Sequence, residues 1–506
     1  FSIKRPFLFK MKQRKFNKNI SDIQGEKALD LEQDLLKGTW DELRGSSRLK
    51  NLFGHVDISS LVIFRIVFGL IMLWEVTRYL DNGWVASYYI NPDFHFNYWP
   101  FHWFDALPGN GMYLFFYAMG ILSIFISLGL FYRVSIVLFF IGFNYWFLLE
   151  QTRYLNHFYL VSLLSFVMMF LPLSKSFSID KFLFPKKAAE TTAAWHLWIM
   201  RFMIAVPYFF GGIAKINTDW LRGQPLKMWL EKDTGIPFIG RYLGEDWMAY
   251  FFSYSGLLLD LLIVPALLYR KTRIPAFLII TSFHLLNAKM FTIGIFPWFM
   301  IGATTIFFPP SWARKFWSFL NEGKSKWKLN IPNQAAILPP STLQKSQRLT
   351  LLLLACWCAF HCLYPLRHNF TPGNSHWTEE GHRYAWHMKL RDKTVRGTYK
   401  VVDKKTGKVE SVNPRDYMPR WKAHRVGVRP HLVWQFCQIL KEDYARRGKD
   451  VEVYADLRAS LNGRPYQQLI DPTVDLTVVP RPLIPPSSWI VPLTIPLKEK
   501  SSEAKK

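Results

Sequence analysis

The sequence predicts a multi-span α-helical integral membrane protein of about nine helices, with a non-cytoplasmic α+β domain at its C-terminal end. Three observations carry this expectation. Half of the 506 residues are hydrophobic and 17% are aromatic, and they are gathered in blocks. Nine apolar segments recur, several close to the roughly 20 residues that a span requires. The basic residues fall between and before these blocks, on one side of the implied membrane.

Residues 1–57 are rich in Lys, Arg and Asn and read as a basic cytoplasmic segment with one amphipathic helix near 26–37. They contain no short apolar core before a small-residue cleavage site, so the first membrane helix is expected to act as an uncleaved targeting signal. The transmembrane part covers 58–366, with spans at about 58–79, 111–131, 134–150, 157–173, 195–215, 249–269, 274–291, 293–308 and 349–366. Loop charge tests this independently. The tail, Lys175 to Lys187, the Arg270 to Arg273 turn and the basic 309–348 stretch share one side, whereas 80–110 contains no Lys or Arg. The positive-inside rule therefore puts the N-terminus in the cytoplasm and 367–506 on the other side.

That last region has the punctuation of a mixed domain. Two alternating runs, 397–402 and 408–412, flank a turn at 403–407, and 451–461 with 465–470 flank Asn462-Gly-Arg464, which predicts two hairpins. Pro430 to Arg447 reads as a helix, and 480–496 as a proline-rich extended tail.

A net charge of +26 raises nucleic acid as a partner, but the loop distribution explains it as cytoplasmic-face charge. Cys356, Cys358 and Cys362 sit within one apolar run and Cys437 stands alone, matching neither a zinc site nor a disulfide framework, so no metal is expected. No phosphate-binding glycine loop, His-Glu-x-x-His or Gly-x-Ser-x-Gly motif is present.

The polar groups inside the spans are the candidates for chemistry. Lys215 ends the fifth span, where lost solvation favours a neutral amine able to accept a proton; the alternative is a snorkelling lysine reaching water or Asp219 one turn on. Asn156 and His157 open the fourth span, His157 being either a helix cap or a catalytic or ligand-positioning group. His284 and Asn287 lie towards the outer end of the seventh, where an interhelical hydrogen bond by His284 is the plain reading. Arg65 and Asp260 lie within spans and suit an ion pair or a backbone contact better than catalysis. From the residues alone, Trp377, Tyr384 and Trp386 read as core aromatics of the outer domain. Lys215, His157 and His284 converge on one leaflet beneath that domain, a site suited to an amphiphilic substrate such as a quinone or lipid.

At Gly211-Gly-Ile-Ala-Lys-Ile-Asn-Thr-Asp-Trp220, Leu155-Asn-His-Phe-Tyr-Leu160 and 282–296 the chain resembles the vitamin K-dependent gamma-carboxylase family. The resemblance continues through 57–69, Leu257-Leu-Leu-Asp-Leu261, 308–315, His376 to Met388, Arg420-Trp-Lys422 and Ile470 to Asp475, covering roughly 55–495 in order. It implies a membrane enzyme that converts a protein glutamate to gamma-carboxyglutamate with CO2 and O2, while oxidising reduced vitamin K (phylloquinol or menaquinol) to its epoxide. The partners implied are a glutamate-containing protein or peptide client and a lipid-soluble quinol. The resemblance makes Lys215 the base that deprotonates the quinol and His157 a group of the carboxylation stage. Asn156, His284 and Asn287 become cofactor-binding, and Trp377, Tyr384 and Trp386 glutamate-binding.

The chain departs from animal members in having Ala214 before Lys215, in lacking cysteines within 80–110, and in ending near 506 without their further β-rich region. It looks more like a bacterial member, with the outer domain in a periplasm; an endoplasmic reticulum lumen is the eukaryotic equivalent. Two rivals stay open: a quinol epoxidase without peptide carboxylation, and a non-catalytic quinone- or lipid-binding membrane protein.

Overall fold

A computed structural model describes residues 46–232, 240–291, 293–321, 342–483 and 485–497. The expected amphipathic helix near 26–37 lies outside these residues, as does part of the basic 309–348 stretch. Apolar helices stand at all nine expected places. They are α1 (Ser59–Asp81), α2 (Gly111–Leu128), α3 (Tyr132–Leu149), α4 (Asn156–Met168), α5 (Ala194–Ala214), α6 (Asp246–Leu268), α7 (Arg273–Met290), α8 (Phe296–Thr304) and, after the amphipathic α9 (Trp312–Asn321), α10 (Lys345–Leu363).

The nine apolar helices agree with the expected architecture and differ in length and polarity. Among the described residues six helices, α1, α2, α3, α5, α6 and α10, are long and apolar enough to cross a bilayer. Helix α4 has only 13 residues, α8 with its following turn ends at Phe307, and α7 carries Arg273, His284, Asn287 and Lys289. The short α4 is accommodated where its neighbours bury it, whereas α7 leaves Ile274, Leu278, Ile279 and Leu285 exposed.

Helices α1 to α8 pack in succession, and α8 returns to α1, so the eight close into a ring. Small residues set the tightest approaches. A Cβ on Gly69 would lie 2.6 Å from the Ser123 carbonyl oxygen of α2, and one on Gly212 would lie 2.6 Å from Leu261 of α6. Arg65 donates to the Leu173 and Phe177 carbonyls at 3.0 and 2.6 Å, the backbone contact expected of it. Helix α10 lies outside the ring against α5, mostly unburied by protein.

The connections separate by side. At one end a short antiparallel pair, β1 (His55–Asp57) with β2 (Thr191–Ala193), which the sequence did not reveal, meets Arg314 of α9 through Asp57 at 2.8 Å and Glu190 at 2.7 Å. At the other end every connection touches the C-terminal domain. Tyr88 packs on Trp421, the Thr152 carbonyl accepts from Arg425 at 2.8 Å, Trp229 donates to Asp392 at 2.8 Å, and Lys389 stands over Phe291.

This capping domain is the expected α+β unit. Strands β3 (Lys393–Asp403), β4 (Val409–Val412), β5 (Val451–Leu461) and β6 (Gln467–Gln468) form an antiparallel sheet in the order β4-β3-β5-β6, with Tyr399 opposite Ala455 and Val401 opposite Val453. Alternate β5 side chains from Val451 to Leu461 are buried, the period of two that one covered face requires. Helix α11 (Arg420–Gly427) and helix α12 (Pro430–Arg446) follow; α12 covers that face with Leu432, Val433, Phe436, Cys437, Leu440 and Tyr444.

Candidate active site at the seam of ring and cap

Helix α5 ends at Ala214, and Lys215 is its C-terminal cap. The side chain of a residue there runs back towards the helix N-terminus, into the ring. Lys215 Nζ accordingly reaches the Gly211 carbonyl at 3.3 Å and pairs with the Asp260 carboxylate on α6, in a residue only 6% exposed. Gly211 makes this possible, since a Cβ on it would approach Asp260 Oδ2 to 3.1 Å. Asp219 is not the lysine's partner. Asn217 starts a new helical turn by accepting from the Trp220 amide at 3.0 Å, and the chain swings Asp219 towards the cap. There Arg464 grips both its oxygens at 2.6 Å and Asn462 donates at 2.7 Å. Burial raises the Asp219 pKa, but these bonds outweigh it and hold the carboxyl below its ordinary value.

Lys215 and Asp260 face a cavity of about 940 Å³ that also meets Asn156, His157, Tyr208, His284 and Asn287. His284 Nε2 lies 2.8 Å from the Tyr208 hydroxyl, which lies 3.2 Å from Thr304 Oγ1, and Thr304 donates to the Met300 carbonyl at 2.6 Å. All three bonds are satisfied when Tyr208 donates to Thr304 and His284 donates from Nε2, leaving Nδ1 as an acceptor. His157 packs between Phe158 and Phe296. Asn156 is a brace: it accepts from the Tyr154 hydroxyl at 2.8 Å and donates to the His387 carbonyl at 3.0 Å. Asn287 Nδ2 donates to its own helix, to the Phe283 carbonyl at 2.8 Å.

The cap closes the cavity with a contorted segment. Glu379, Tyr384, Trp386 and Lys389 all have positive φ, 67°, 61°, 61° and 53°. Each such non-glycine residue costs about 1–2 kcal/mol, so the surroundings over-determine this path. The turns aim His382, Arg383, His387, Met388 and Lys389 at the cavity. Tyr384 and Trp386 pack behind this wall against Tyr159, and Trp377 is a fully buried core residue donating to the Val491 carbonyl at 2.7 Å. None of the three aromatics lines the cavity itself.

The lining is strongly cationic. Arg78 pairs with Glu75 and Arg391 with Glu379, but Arg153, Arg383, Lys389, Arg425 and Arg429 have no carboxylate ion pair among the described residues. Burial and the neighbouring guanidiniums Arg153 and Arg429 push Arg425 down to about 9; burial and Arg383 push Arg429 to about 10. Cations crowded in this way are relieved by a bound anion.

Residues 53–312, just over half of the chain, match the HTTM domain family, and 346–495 match the lumenal domain of vitamin K-dependent gamma-carboxylase. The chain belongs to the vitamin K-dependent gamma-carboxylase family. Its ring is the HTTM part and its cap the lumenal part, which makes the cap non-cytoplasmic and the protein's function vitamin K-dependent and carboxylase-like. No solved structure was found to match the chain.

In this carboxylase-family chain, five of the sequence-predicted residues meet at one cavity: Lys215, His157, Asn156, His284 and Asn287. Asp260 is the ion-pair partner that its place in a span suggested. Tyr208 and the arginines of the cap were missed, the former for being one tyrosine of 22 and the latter for being hidden among 63 Lys and Arg residues.

Proposed function

We propose that the protein is a vitamin K-dependent gamma-glutamyl carboxylase, converting protein glutamate to gamma-carboxyglutamate with CO2 and O2 and oxidising the reduced quinol to its epoxide. The carrying observation is that the buried Lys215–Asp260 pair and the carboxylate-free arginines face one cavity between ring and cap. A space of about 940 Å³ suits a bicyclic quinol head, and Lys215, His284 and Asn287 would hold it. Bound there and oxidised by O2, the quinol supplies the base strong enough for the glutamate γ-proton, which no side chain can remove at neutral pH.

The chain's own groups do the rest. Lys215 Nζ takes the quinol hydroxyl proton once its own has passed to Asp260, and the Gly211 carbonyl keeps the amine in line. Arg425, Arg429 and their neighbours bind the client's carboxylate. His157 serves the carboxylation stage. The cap excludes bulk water, which would quench base and carbanion alike. The N-terminus is cytoplasmic and the cap faces a periplasm, or the endoplasmic reticulum lumen in a eukaryote.

Membranes supplied with reduced vitamin K, a glutamate peptide and labelled bicarbonate test the reading. Epoxide together with peptide label supports it; epoxide alone indicates the oxygenase without carboxylation, and neither product indicates a binding protein. Lys215→Ala is expected to lower epoxide formation by on the order of 10²–10⁴, with partial rescue by a small exogenous amine. Unchanged epoxide formation in that variant would remove Lys215 from the chemistry.

A further inference from the structure

His376, His382 and His387 bracket the contorted cap segment, and each offers a ring nitrogen within 4.8 Å of the other two. Their ring centroids are 5.5, 5.0 and 4.8 Å apart. Neither ring nitrogen of His387 has a hydrogen-bond partner, nor has Nδ1 of His376, although these residues are only 6% and 7% exposed. Buried polar atoms are rarely left so, and three imidazoles turned on one another, two of them with unpartnered nitrogens, are more simply explained by a shared ligand.

We propose that His376, His382 and His387 form a binding site for a late first-row divalent transition metal ion, with zinc as the reference case. Neutral imidazole is the ligating form. The nitrogens need draw together by no more than about 1.4 Å, since tetrahedral zinc at 2.0–2.1 Å sets ligands about 3.4 Å apart. The Glu379 carboxylate lies 4.0 Å from His382 Nδ1, beyond hydrogen-bond distance, and is paired with Arg391.

The surroundings select the ion. Arg391, Lys393 and Arg429 add positive charge nearby, which penalises any cation, and Arg391 is offset by its pairing with Glu379. Hard ions such as Mg²⁺ and Ca²⁺ gain little from nitrogen ligands, whereas late transition metals bind them strongly enough to outweigh that penalty. Three protein ligands leave one position for water or a carboxylate. His382 and His387 wall the cavity, so that position opens on the side where Lys215 and the arginines lie. Bound at both ends of 376–387, the metal clamps a path that includes left-handed Glu379, Tyr384 and Trp386.

The test uses the full chain in detergent, without a histidine tag, stripped by chelator and titrated with Co²⁺ while its visible d–d absorption is followed. One equivalent per chain, displaced by Zn²⁺, is expected. His376→Ala and His387→Ala should each weaken uptake by more than about tenfold, whereas His55→Ala, on the far side, should leave it unchanged. No stoichiometric uptake by the wild-type chain, or uptake unchanged in both cap variants, would overturn the proposal. Should those variants fail to fold, the nitrogen hyperfine pattern of Cu²⁺-loaded wild-type protein decides: three coordinated nitrogens support the site, and fewer than three reject it.

Discussion

Lys215 and Asp260 have to be judged together, because each is the reason the other can be buried. Removing the lysine alone strands a carboxylate among apolar helices, which costs about 3–5 kcal/mol. Lys215→Ala is therefore expected to lower thermal stability in detergent markedly, and Lys215→Ala/Asp260→Ala to recover most of the loss. Failure of the double variant to recover would mean that the two are not a coupled pair. The comparison also separates lost chemistry from lost fold in any activity assay. Lys215 was legible in the sequence because a lysine closing an apolar run is conspicuous. Its partner was not: Asp219 stands at the right helical spacing, and only the new turn begun at Asn217 removes it.

At the scale of elements, the cap is pinned to the ring at two buried points, Asp219 with Arg464 and Glu150 with Lys422 at 2.8 Å. Asp219 is held below its unfolded value of about 3.9, so its contribution is present above that pH and is lost as pH falls through the lower folded value. Arg464→Ala should speed proteolysis of the cap at neutral pH, and its difference from wild type should shrink as the medium is acidified. A difference that grows on acidification would contradict the pairing. The sequence disclosed the strands and helices of the cap through their alternation and periodicity. It disclosed the cavity-facing residues of 379–389 poorly, because left-handed positions occupied by Glu, Tyr, Trp and Lys carry no glycine signal. The aromatics drew notice, and the histidines and arginine beside them line the cavity.

For the whole molecule, hydropathy located every apolar helix but did not separate the six long ones from the shorter or more polar α4, α7 and α8. Their packing into a closed ring depends on contacts between helices far apart in sequence, which no local pattern records. With α10 leaning on α5 and the cap held by its two pins, chain continuity between α9 and α10 is unnecessary for assembly. A protease site introduced at 322–341 and cut after purification should leave two pieces that elute together; their separation in mild detergent would show that the covalent link holds the cap on.

The ring closes upon itself between Ser59 and Thr304, before the first residue of the cap, and this has a consequence for inheritance. The part of the gene that encodes the ring and the part that encodes the cap are contiguous but separate, and the two meet along a seam of non-covalent contacts. Selection can thus rewrite the cap while the ring stays as it is, and a duplicated ring can be refitted with an unrelated cap and put to other uses.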